Sequence, residues 1–252
     1  NRLSIIDLSA NANQPFLTED KNYVITFNGE IYNYVEIKKK LESNNIRFIS
    51  NSDTEVILQS YKFWGLEFTK FLRGMFSFAI FDKRKKELIL ARDPFGIKPL
   101  YYVKDGNVIY FASQIKSLLS INRINFNLSN AGVCSYYLWG HLQEPFTLYK
   151  EIKSLKKGTI LTINSDGNEK NINYASIKNT ILNLKGIHIK NNNDAISYLK
   201  NILNESVKFH NVSDVPITCL LSSGIDSSAL IASASSQNLN NFDALTLDFG
   251  FS

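Results

Sequence analysis

The stretch best suited to chemistry is Leu220, Leu221, Ser222, Ser223, Gly224, Ile225, Asp226, Ser227 and Ser228. An apolar, β-favouring run over 215–221 stops at small polar residues, and from Ser227 an Ala-, Leu- and Ile-rich segment takes up a helical pattern. A strand, a tight loop and a helix in that order aim unpaired backbone N–H groups and the positive end of a helix dipole at one spot, which suits an anion such as phosphate. Gly224 lets the backbone come close, and the hydroxyls of Ser222, Ser223, Ser227 and Ser228 add donors. No Gly-Lys-Ser/Thr follows, so the loop is not of the Walker type. The same residues also describe an ordinary helix start capped by Asp226 or Ser227, and by themselves they leave both readings open.

A second set of polar residues stands at the ends or turns of predicted elements: Arg2, Asn28, Gly29, Glu30 and Asp53. Arg forms a fork for a carboxylate, Asp holds an ammonium group, and an Asn side chain beside a Gly N–H can make an oxyanion hole. Together these are the needs of a site that grips an α-amino acid and attacks its side-chain carbonyl. Taken singly, Asn28-Gly29 is a turn and Asp53 a helix cap.

The elements that must position these residues come from a chain of 252 residues with 44% hydrophobic content, enough for a sizeable core and more than one domain. Apolar runs are shorter than a membrane span and the start lacks a signal-peptide pattern, so a soluble, cytoplasmic protein without a membrane partner is expected. The net charge of +5 is spread along the chain apart from Lys38-Lys39-Lys40 and Lys83-Arg84-Lys85-Lys86. Those runs read as a solvated helix face and a hairpin tip, and no nucleic-acid partner is expected. Cys134 and Cys219 have no metal-ligand spacing and lie among apolar residues, which predicts buried free thiols. His141, His188 and His210 are scattered without a nearby carboxylate.

The sequence begins abruptly at Asn1 on a strand-like run, which reads as the loss of a preceding part. A strand over 23–27 ends at the Asn28-Gly29 turn, Asn33 caps a helix, 46–49 returns as a strand, and Asp53 sits at an N-cap ahead of Val56, Ile57, Leu58 and Tyr61. Residues 74–82 and 87–92 form a hairpin around the charged tip, the first strand apolar on both faces. A stiff loop over 92–99 precedes a second hairpin, 100–103 with 108–112, across Asp105-Gly106. Helical patterns near 114–119 and 129–139 lead to a strand over 159–163 and a turn at Asp166-Gly167. Periodicity then fades into a linker over 176–193, followed by a helix (195–209), a strand (215–221), the loop, a helix (227–236) and a strand (242–249). Strand, helix, strand belongs to a parallel sheet, and two strands cannot complete one, so truncation is expected at this end too.

The segments 2–8, 23–33 (with Phe27-Asn28-Gly29-Glu30-Ile31-Tyr32-Asn33), Ser52-Asp53-Thr54-Glu55, Gly74-Met75-Phe76, 92–99, Phe111-Ala112-Ser113 and 221–228 resemble, in order and spacing, the glutamine-hydrolysing asparagine synthetases. The resemblance implies an N-terminal-nucleophile glutaminase domain over 1–175, a four-layer αββα sandwich, lacking its first segment. After the linker over 176–193 it implies, over 194–252, the beginning of an ATP pyrophosphatase domain on a parallel α/β sheet. By motif, Arg2 would bind the glutamine α-carboxylate and Asp53 its ammonium. Asn28 and Gly29 would form the oxyanion hole, with Glu30 and backbone from Leu3, Ser4, Ile5 and Ile6 lining the pocket. Ser222, Ser223, Gly224, Ile225, Asp226 and Ser227 would grip the pyrophosphate of ATP, with Asp226 on Mg²⁺ and Leu220 and Phe249 against adenine.

The implied reaction activates the aspartate side chain as an acyl-adenylate, which ammonia from glutamine attacks to give asparagine, AMP, pyrophosphate and glutamate. The substrates are then glutamine, aspartate and ATP, with a homodimer as a family habit. Three departures stand out. The nucleophilic N-terminal Cys is absent, and neither Cys134, mid-helix, nor Cys219, in a strand, replaces it, so this chain alone should not hydrolyse glutamine. Ser223 stands where a φ-permissive Gly is usual, and Gln114 where Glu is usual. Two alternatives remain: a related amidotransferase that aminates a polysaccharide sugar or closes a β-lactam ring, and a non-catalytic module that senses glutamine or nucleotide.

Overall fold

The computed structural model describes residues 4–183, 189, 191–237, 242–248 and 250. The chain divides into two compact units, one of Asn11–Leu182 and the other of Asn1–Ala10 with Asn183–Ser252. In chain order the first holds β1 (Phe16–Leu17), β2 (Tyr23–Ile31), α1 (Tyr34–Glu42), α2 (Asp53–Trp64), β3 (Gly74–Asp82) and β4 (Glu87–Arg92). Then come β5 (Tyr101–Asp105), β6 (Val108–Ala112), α3 (Ile115–Leu119), α4 (Asn130–Trp139), β7 (Lys153–Ser154), β8 (Thr159–Ile163), β9 (Glu169–Asn173) and α5 (Ile177–Asn183).

A six-stranded sheet runs in the order β1-β2-β3-β4-β8-β9, and a three-stranded one in the order β6-β5-β7. Every pairing in both is antiparallel. Strand alternation sorts the side chains into layers. On one face of the larger sheet Ile25, Phe76, Phe78, Ile80 and Ile89 pack on Ile37 and Leu41 of α1 and Val56, Ile57, Leu58 and Tyr61 of α2. On its other face the alternate residues Ala79, Leu90, Leu161 and Ile163 meet Leu100, Tyr102 and Leu155. Beyond the smaller sheet, Val103 packs with Leu118 of α3 and with Ile152. Helix, sheet, sheet, helix is the αββα arrangement, and β3, covered on both faces, is apolar for that reason.

Several local expectations give way to tertiary demands. Asn28-Gly29 is no turn: β2 runs through it to Ile31, paired residue by residue with β3. Residues 46–49 form no strand. Asn33 occupies the N-cap position of α1 without capping, because its amide instead donates to Phe71 O and accepts from Arg73 N. The charged run after β3 is the hairpin tip, held by Asp82, whose Oδ1 accepts from Arg84 N and Lys85 N and whose Oδ2 accepts from the Tyr61 hydroxyl. The buried-thiol expectation fails, since Cys134 is exposed on α4 and Cys219 is partly exposed. Local apolarity around a cysteine measures the strand or helix it sits on, not the cover laid over it.

The second unit contains α6 (Asn192–His210), β10 (Ile217–Leu220), α7 (Ile225–Ser236) and β11 (Phe242–Leu245). Strands β10 and β11 pair in parallel, Ile217 opposite Phe242 and Leu220 opposite Leu245. Ser233 of α7 donates to the Asn204 side chain of α6 at 2.7 Å. No helix among the described residues is long and apolar enough to cross a membrane.

Candidate functional site

Helix α2 is capped by Ser52, whose side chain accepts from Glu55 N. This corrects the reading of Asp53 as the cap and frees its carboxylate: Asp53, 4% exposed, reaches across to accept the Ile31 N–H at 3.1 Å. The end of β2 and the first turn of α2 are thereby tied together. Asn28 and Glu30, two residues apart, share the face of β2 opposite the one carrying Ile25 and Ile31. Asn28 Nδ2 donates to Ser113 Oγ at 3.1 Å, so the residue just past β6 orients this amide. Between them Gly29 has φ +151°.

The carboxyl of Glu30 is almost buried. Its pKa is raised to about 7, first by burial and then by the Asp53 carboxylate, with Lys98 opposing. The Tyr32 hydroxyl is pushed up to about 12 by burial and by the charges of Glu30 and Asp93. A carboxyl whose pKa rises on folding holds its proton more tightly in the folded state. Stability therefore falls as pH climbs from the ordinary carboxylate range towards about 7 and levels off above it. Replacement of Glu30 by Gln removes this slope. Chemical denaturation of both proteins at about pH 5 and about pH 8 should show a smaller pH difference in the variant, and an unchanged difference would refute the assignment.

Lys98 is delivered by a loop that two adjacent residues knot. Asp93, fully buried, accepts four backbone N–H groups: Phe95 and Ile97 on Oδ1, Phe76 and Lys98 on Oδ2. Arg92 donates to the carbonyls of Lys98, Gly96 and Leu155 and to Glu144. Ser113, Asp93 and Lys98 were not among the expected site residues; the punctuated run 92–99 was the signal for the last two.

Ser4, Ile5 and Ile6 belong to the other unit, where Asp214 N donates to Ile5 O and the Asp214 carboxylate accepts from Asp7 N. Arg2, Leu3 and Phe249 lie outside the described residues.

In the second unit the loop after β10 is organised by Ser227. Its hydroxyl meets Ser222 N, Ser222 Oγ, Ser222 O and Gly224 O within 2.9–3.2 Å. The N-cap of α7 is Gly224, and no side chain caps the helix, so neither Asp226 nor Ser227 plays the capping part allowed by the sequence. The first turn of α7, from Ile225, thus has no side-chain cap. Gly224 has φ −74°, and Ser223 is not among the positive-φ residues, so a side chain at 223 causes no backbone strain. Leu220, Ser222, Ser223, Gly224, Ile225 and Asp226 are all exposed. Among the described residues no group of three or more His, Cys, Asp or Glu side chains could hold a metal ion.

An antiparallel αββα unit with an Asn-Gly-Glu strand end beside a buried Asp falls in a known class: residues 1–175 match the glutamine amidotransferase domain, and the chain belongs to that family. Residues 198–252 match the asparagine synthase family. Among curated proteins it is 39% identical over 233 residues to asparagine synthetase [glutamine-hydrolyzing] 1 of Bacillus subtilis, covering 92% of this chain and 36% of that one. It is also 39% identical over 253 residues to asparagine synthetase [glutamine-hydrolyzing] 2 of the same organism, covering 97% of this chain and 33% of the relative. The chain thus spans about a third of the length of these relatives. A solved B. subtilis glutamine phosphoribosylpyrophosphate amidotransferase superposes on 94% of the chain at 21% identity with a TM-score of 0.46, too loosely to bear on function.

Proposed function

We propose that this chain is part of a glutamine-dependent asparagine synthetase, holding glutamine in the first unit and opening the ATP site in the second. The observation that carries this reading is the convergence of Asn28, Gly29, Glu30 and Asp53 where β2 meets α2, within the segment matched to glutamine amidotransferases. Asp53 and Glu30 present carboxyl groups for the α-ammonium of glutamine. The Asn28 amide and the Gly29 N–H face the side-chain carbonyl as it becomes an oxyanion. The attacking thiol is an N-terminal Cys outside this sequence.

In the second unit the uncapped first turn of α7 and the hydroxyls of Ser222, Ser223 and Ser227 receive the phosphates of ATP. Leu220 and Phe249 lie against the adenine, and Gly224 and Ile225 give the backbone close approach. Asp226 holds Mg²⁺, an ion that needs few protein carboxylates when phosphate oxygens and water complete its shell and that would neutralise charge on the phosphates. Aspartate is the acceptor and ammonia the nucleophile that reaches it. The protein works in the cytoplasm on small molecules and as a homodimer.

The test is pyrophosphate release by the intact protein with aspartate and ammonia. Asp226→Asn should abolish release and spare glutamine hydrolysis, whereas Asp53→Asn should weaken glutamine binding roughly a hundredfold and spare the ammonia-driven reaction. Release with a sugar or β-lactam precursor instead of aspartate would replace the acceptor. No turnover with any acceptor, in a protein whose measured mass leaves no room for an N-terminal Cys, would favour a binding module.

A further inference from the structure

A cleft of about 300 Å³ opens in the first unit between the β1–β2 turn, the irregular segment after α1 and the flank of α2. Its lining carries charges of both signs: Glu19 and Asp20 supply carboxylates, Arg47 and Lys62 cations, and Ile46 and Ile49 an apolar wall. The Asp20 carboxylate is fixed by Thr18 Oγ1 and by Asn22 N, and its pKa is lowered to about 2 by those bonds, so it stays charged. Lys62 Nζ stands 3.8 Å from Asp20 Oδ2, too far for a good hydrogen bond, and both groups keep much of their bonding capacity. Arg47 is exposed and takes part in no ion pair or side-chain hydrogen bond among the described residues. Glu55, by contrast, is fully engaged by Ile49 N, Ser50 N and Ser50 Oγ and serves as wall.

An anion alone would meet Glu19 and Asp20 unfavourably, and a cation alone would meet Arg47 and Lys62. A small molecule carrying both an ammonium and a carboxylate satisfies both sets of charges, the carboxylate on the planar fork of Arg47. The volume is at the low end of ligand pockets, ample for one free amino acid. None of Asn28, Gly29, Glu30 and Asp53 lines the cleft, and Tyr23, where β2 begins beside this turn, is about 20 Å along the strand from Gly29 at the rise of an extended chain. We infer that this cleft is a second small-molecule site, built for a free zwitterionic α-amino acid, and it stands whether or not the first site takes glutamine.

The experiment is calorimetric titration of the Asp53→Asn chain with L-serine, which leaves the first site impaired, beside acetate and ethylamine as half-molecules. Saturable binding of L-serine is expected, each half-molecule binding about tenfold or more weakly, and Arg47→Ala, at an exposed side chain without structural bonds, should cost about tenfold or more. Lys62→Ala should weaken binding similarly, with backbone amide shifts at Asp20 and Arg47 marking the site by NMR. The inference is overturned by absence of saturable binding, by equal binding of acetate or ethylamine, or by indifference to both substitutions.

Discussion

Replacement of Gly29 by Ala should destabilise the first unit by about 4 kcal/mol or more, enough to unfold a protein of ordinary stability. An added Cβ would lie 2.1 Å from Met75 O and 2.7 Å from Phe76 Cα, both backbone atoms of β3, in a residue with φ +151°. The strand cannot retreat, because β3 pairs with β4 on its far side and Phe76 and Phe78 are locked in the core. Relief would require opening the ladder beside Asn28. Gly106, with φ +58° and nothing within 4 Å, is the control: its Ala variant carries only the left-handed penalty of about 1 kcal/mol. Denaturant midpoints of the two variants should differ widely, and equal midpoints would show that β2 and β3 separate more easily than their packing implies.

Asp93→Ala should be nearly as damaging, at about 3–5 kcal/mol. It strips acceptors from four backbone N–H groups in a fully buried position, and buried donors left without partners lose their desolvation compensation. Asp93→Asn should fall between the two, since the amide oxygen keeps one pair of donors while its NH₂ faces the other pair. Hydrogen exchange at Phe95, Ile97 and Lys98 distinguishes this account from general weakening: those amides should lose protection beyond the loss shared by the other amides of the unit. Retained protection there in Asp93→Ala would refute it.

Much of this arrangement was legible in the residues. The hairpin 74–92, the apolar character of β3 and the strand, loop and helix order of the second unit follow from alternation and turn chemistry, which are local properties. The turn reading of Asn28-Gly29 fails, because Asn-Gly signals a turn only when no neighbouring strand takes it up, and β3 does. Asp53 was misplaced by one residue because Ser52 and Asp53 are both good caps, and only the distant Ile31 N–H decides between them. The bonds from Asn28 to Ser113 and from Asp93 to Phe76 join residues far apart in sequence, and no local pattern encodes such pairs. The charged cleft was equally silent, since Asp20, Arg47 and Lys62 each look like ordinary surface residues until the fold collects them.

The hydrogen bond between Asn28 and Ser113 also has a thermodynamic meaning. A free amide side chain samples several rotamers, and a ligand that must select one loses affinity to that ordering. Here the selection is made when the chain folds, so the second N–H of the amide already has a fixed direction. Ser113→Ala should therefore leave the contacts of a bound ligand intact while making its binding entropy less favourable, a change that calorimetry would register with little alteration in enthalpy.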